Sequence, residues 1–186
     1  MELNIANVYN TAVSEMNAGQ YEEAEKHFDM VALQDPANWQ AMFFRSYCKC
    51  HHGKVGDIPR QAQDFQGAFT HALNSVLALP AEEQEAGVRL LLQHLYSQAD
   101  YFIANGKNVG GFFTGSSSVS YNTIQAGNDL IKNCVQLVEA KVRLTPELQA
   151  LVDKNKELMK AGSASAGWKI ILGVIGVILF IVWLAI

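Results

Sequence analysis

This chain has no excess of basic charge: 14 Lys and Arg stand against 18 Asp and Glu, a formal net charge of -4. Nucleic acid binds where a basic face displaces counterions from phosphates, so that class of partner is excluded. Cysteine is scarce, with Cys48, Cys50 and Cys134 alone. Two of the three stand two residues apart, on different faces of a helix, so reduced thiols are expected rather than a disulfide framework. The opening "MELNIANVYN" lacks a basic start followed by an apolar run, so it does not read as a secretory signal. Charge is missing altogether from the last 17 residues, Ile170 to Ile186.

Alternation of apolar and polar residues, the mark of a half-buried strand, is also missing, which leaves an all-α body. The 4 prolines fall at helix boundaries. Asp35-Pro36 closes one helix, because the residue before proline is driven out of the helical region. Asp57 is expected to cap the helix that opens with Ile58-Pro59, Pro80 followed by Glu82 and Glu83 opens another, and Thr145-Pro146 opens the last. Within the segments the apolar residues keep helical spacing: Ile58, Ala62, Phe65, Phe69, Ala72, Val76 and Leu79 step by 4 and 3 alternately. Val88, Leu91, Leu95, Ala99 and Phe102 form a second stripe, and Ile124, Ile131, Cys134, Val138 and Val142 a third. One-sided helices must pack on one another. The stretch from Gly106 to Ser120, with 4 glycines and 4 serines, reads as a long loop anchored by Phe112 and Phe113.

The stretch "AGQYEEAEKHFDMVALQDPAN" resembles a tetratricopeptide repeat (TPR). The resemblance rests on Gly19 at the turn, Tyr21 and Ala24 early in the second helix, Phe28 a turn later, and Asp35-Pro36 at the exit. Ala12 holds the small-residue position of the first helix, and the match runs from about Asn4 to Asn38. Trp39 to Gly53 fits a further first helix, with Met42 and Ser46 at packing sites. A single repeat cannot bury its own faces. The resemblance therefore implies antiparallel helix pairs in a TPR-like superhelix across 1–160, with a closed helical bundle as the alternative. It also implies an inner groove for a protein or peptide partner, lined by Tyr9, Val13 and Met16, then Phe43, Tyr47 and Cys50.

Chemical motifs are thin. Cys48-Lys49-Cys50-His51-His52 offers thiols and imidazoles, but zinc takes four ligands, usually from two short pairs, and no second pair exists in the chain. No metal or cofactor is expected. Gly106-Lys107 is not preceded by a strand, nor is its lysine followed by Ser or Thr, as a phosphate loop requires. Glu22, Glu23 and Glu25 read as a solvated acidic face, and no nucleophile elbow is visible, so the chain reads as a non-enzymatic protein.

The tail "IILGVIGVILFIVWLAI" would rise roughly 25 Å as a helix, close to the ~30 Å hydrocarbon core, with Trp168 and Lys169 extending it. It has no polar face, so a single transmembrane helix is expected over 170–186, joined to the body by a flexible linker, 161–169. Lys154, Lys156, Lys160 and Lys169 precede the run, which places the body on the cytoplasmic side in the layout of a tail-anchored protein. The expectation is a membrane-anchored TPR-like adaptor recruiting a protein or peptide partner. A structural subunit of a membrane assembly is the alternative, with a metal-binding protein or enzyme behind it.

Overall fold

The computed structural model describes residues 4–109 and 117–162, and all its regular structure is helical. In chain order the helices are α1 (Ile5–Asn17), α2 (Tyr21–Gln34), α3 (Trp39–His52), α4 (Ile58–Leu77), α5 (Ala81–Val109), α6 (Ser117–Lys141) and α7 (146–162), with a short 3-10 turn, Val55–Asp57, before α4. The expected transmembrane helix, 170–186, and linker residues 163–169 lie outside the described residues. Among the described residues no helix is long and apolar enough to cross a membrane.

The first hairpin follows from its turn chemistry. Asn4 caps α1 by accepting a hydrogen bond from the Asn7 amide, at 3.1 Å. Gly19 ends the helix at φ 77, while the Gln20 amide donates to the Glu15 carbonyl and the Gly19 amide donates to Met16. That pair of bonds satisfies the last carbonyls and turns the chain back, a geometry that favours glycine. Ala12, Ala24 and Phe28 are then fully buried where α1 and α2 meet. Packed helix pairs of this kind are compatible with a TPR-like repeat.

The next pairs are also antiparallel. Between α2 and α3, Tyr21 stacks on His51 while Phe28 meets Phe44. Between α3 and α4, the Cys50 thiol reaches the Gln61 carbonyl while Phe43 meets Phe69. α4 to α7 run up, down, up and down as a bundle of helices in which α4 packs on both α5 and α6, and α5 on α6. Asn133 donates to Gln66 and Lys141 to Asn74, which aligns α6 alongside α4. Asn155 donates to the Leu92 carbonyl, Lys154 lies over the Tyr96 ring and Lys156 pairs with Glu139, which seats α7 between α5 and α6.

Three sequence expectations change in the structure. The segment expected as a loop from Gly106 to Ser120 is helical at both ends: α5 continues to Val109 and α6 starts at Ser117, with 110–116, including Phe112 and Phe113, outside the described residues. Gly106 is a packing residue, since a Cβ there would stand 2.6 Å from Ile124 Cγ1 and 3.0 Å from the Ser120 carbonyl. Asp57 holds the N-cap position of α4 without capping it; its carboxylate lies 3.9 Å from Arg60 instead. Helix α7 runs through Gly162, so the first two residues of the expected linker are helical, with Gly162 buried beside Asn128 and Ile103.

Candidate partner-binding groove

The six residues expected to line an inner groove occupy two environments. Phe43 is fully buried and Met16, Tyr47 and Cys50 are nearly so, whereas Tyr9 and Val13 are half-buried against the core. The cause lies in α5, whose 29 residues carry it past the inner side of α3. His94 sits edge-on to Phe44 at 5.0 Å and to Tyr47 at 5.2 Å, and Tyr101 lies 4.3 Å from His51 while its hydroxyl donates to the His51 carbonyl. Tyr9 packs edge-on to Phe28 and donates its hydroxyl to Gln40. The inner face of α3 is thus largely part of the core, while Tyr9 and Val13 of α1 keep partial access to solvent.

The thiols and imidazoles of Cys48 to His52 separate in the same way. Burial pushes the Cys48 and Cys50 thiols up to about 12, so both stay protonated at neutral pH. His51 is enclosed by Tyr21, Tyr47 and Tyr101, and desolvation, with His94 nearby, pulls it down to about 4. His52 turns outward and meets the Glu25 carboxylate. Among the described residues no three His, Cys, Asp or Glu side chains converge as metal ligands would.

A concavity lies on the other side of α3. A groove of about 950 Å³ has α3 as its floor and α2 and α4 as its walls. Met42, Ser46, Gly67 and Ala68 give it small and apolar surface, while Glu22, Glu25, Lys26, Asp29, Arg45, Lys49, His52, Asp64 and His71 give it charge of both signs. Met42 and Ser46, expected at packing sites, are half-buried here. Much of the charge is already paired. Lys26 meets Glu22 at 3.0 Å, Arg45 meets Asp29 at 2.5 Å, and His52 meets Glu25. Lys49 and Asp64 stand exposed on facing helices without an ion pair among the described residues. The floor is legible in hindsight: Arg45 and Lys49, where a repeat would carry apolar residues, mark a side of α3 that no other described helix covers.

A second groove, about 380 Å³ between α4 and α6, is lined mainly by carboxamides such as Gln63, Gln66, Asn122, Gln125 and Asn133. Comparison with protein-family models, with curated proteins and with solved structures finds no match for this chain.

Proposed function

We propose that this protein is a membrane-anchored adaptor that holds a protein partner by a peptide segment laid along the groove between α2, α3 and α4. The observation that carries the reading is the open α3 surface between two parallel walls, a groove of about 950 Å³ furnished with one unpaired charge of each sign. Such a groove suits an extended or helical segment carrying both charges around a small apolar side chain. Lys49 would meet its acid and Asp64 its base, while Met42 and Gly67 accommodate the apolar contact. The stacked helix pairs agree with the TPR resemblance, and the charge-free residues 170–186, preceded by lysines, support an anchor with the body on the cytoplasmic side.

Affinity capture of the full-length protein from its native membranes, repeated with the double variant Lys49→Glu and Asp64→Lys, tests the groove. A partner retained by the wild type and lost by the variant is the expected result. A partner kept by that variant and lost on Tyr9→Ala would move the site to the α1 face; one kept by both would remove the groove reading. Alkaline carbonate washing tests the anchor, which fails if the full-length protein is released.

A further inference from the structure

The two ends of the helix bundle α4 to α7 carry different side chains. At the first, where α5 and α7 begin, stand Glu82, Glu83, Glu85 and Glu147. At the other, α5 ends, α6 begins and the described part of α7 stops, as the contacts of Gly106 with Ser120 and of Gly162 with Asn128 and Ile103 establish. From Tyr101 to Asn128 the sequence carries one charged residue, Lys107. Lys160 in the last turn of α7 adds a second positive charge, against Glu157 and the Asp57–Arg60 pair at the start of α4. Val119 and Tyr121 at this end are 39% and 46% exposed, two of the four large apolar side chains left open among the described residues.

The chain leaves the described structure at this same end. Seven residues, 163–169, separate Gly162 from the apolar run, and even fully extended they span at most roughly 24 Å. Tyr121 lies seven residues from Asn128 along α6, so the bundle projects roughly 10 Å beyond the Gly162 level. The interfacial layer of a bilayer takes up a further ~5–7 Å. The leash therefore leaves less than about 10 Å between the bundle end and the headgroups.

We propose that this end of the bundle rests on the lipid surface, with Val119 and Tyr121 of α6 entering the interfacial layer. Tyrosine prefers that layer because its ring is apolar and its hydroxyl is wet. The groove walls are then held at a fixed height above the membrane. The proposal rests on the anchoring of 170–186 and adds a second, peripheral contact to it.

Nitroxide labels on the full-length protein in vesicles of phosphatidylcholine and phosphatidylglycerol test it. Single cysteines are introduced by Tyr121→Cys, Glu83→Cys and Ile178→Cys; the three native cysteines are buried. Accessibility to oxygen, which partitions into lipid, is compared with accessibility to a water-soluble nickel chelate. The expected result is a deep-lipid signature at 178, an oxygen-to-nickel ratio at 121 several-fold above that at 83, and free access of nickel at 83. A lipid signature at 178 with equal ratios at 121 and 83 overturns the docked end and leaves the anchor standing. Exclusion of both reagents at 121 also overturns it, since a protein contact then covers α6. Free nickel access at 178 overturns the anchor and the docked end together.

Discussion

The helices before α4 and those after it solve the same burial problem with different side chains. Where α1, α2 and α3 lie side by side, flat rings fill the gaps: Phe28 of α2 lies against Tyr9 of α1 and Phe44 of α3. Where α5 meets α4 and α6, the helices approach through glycines. A Cβ on Gly87, Gly106 or Gly127 would fall within 2.8 Å of Val76, Ile124 or Ile103. Rings fill the space between helices that cross without a glycine, whereas a glycine at a crossing lets a neighbouring side chain or backbone come where a Cβ would stand. The half up to α3, open on its outer side, forms the floor of the groove, and the half from α4 leads to Gly162, where the described chain stops.

The largest effect is expected where the two halves join. Phe43 is fully buried and touches rings of α3, of α4 and, through His94, of α5. Phe43→Ala should cost about 3–5 kcal/mol by removing the ring and leaving a cavity. Hydrogen exchange should then show α1 to α3 opening before α5 to α7. Loss of protection spread evenly over all seven helices would mean that the halves are a single cooperative unit.

A smaller loss, about 1–3 kcal/mol, is expected for Gly106→Ala. The added methyl meets the Ile124 amide and the Ser120 carbonyl, both backbone, so α5 and α6 must separate rather than a side chain turn aside. The Ser120 hydroxyl, which donates to the Gly106 carbonyl, would be displaced with them. Thermal unfolding followed by circular dichroism should show a lowered midpoint; an unchanged midpoint would mean that glycine notches do not set the closeness of the bundle.

Acid should act first on the open half. His51 is neutral in the folded protein and titrates near 4, while an unfolded chain takes its proton near 6.5. The folded value is the lower one, so this contribution is fully present above about 6.5 and lost as pH falls toward 4. Allowing for the remaining exposure of the ring, the loss is on the order of 1–2 kcal/mol. His94, also pulled down by burial, acts in the same direction. Denaturant midpoints measured across that range should fall with acid in the wild type and fall less in His51→Phe. Equal slopes would exonerate the ring cluster.

Much of the fold was legible in the sequence, because buried stripes and turn residues act locally. Ala12, Ala24 and Phe28 are buried as the repeat pattern requires, and Ile58, Phe65, Phe69 and Val76 form one buried face of α4. The site was less legible, for a non-local reason. Whether Phe43 and Tyr47 face a groove or a core depends on where α5 goes, and nothing in residues 39–52 says that a 29-residue helix will return across them. Gly106 misled for the opposite reason. Beside Gly110, Gly111 and a run of serines its type suggests a turn, while its role is set by Ile124 on another helix. Arg45 and Lys49 were the informative misfits, because charge at a repeat's apolar positions marks a side of α3 left uncovered.

The smallest effect should have the opposite sign. Gly67 lies in the interior of α4 and lines the groove, and a Cβ built on it meets nothing within 4 Å. Unlike Gly106 it fills no crossing, so Gly67→Ala should stabilise by about 1 kcal/mol, the helix propensity that glycine forgoes. If glycine stands there to leave room for a partner's side chain, the more stable variant will capture less partner in the same affinity experiment. A rise in the unfolding midpoint with undiminished capture would separate the two properties and make Gly67 incidental to the groove. A fall in the midpoint would contradict the open space that distinguishes this glycine from those of the bundle, and with it the contrast between the two halves.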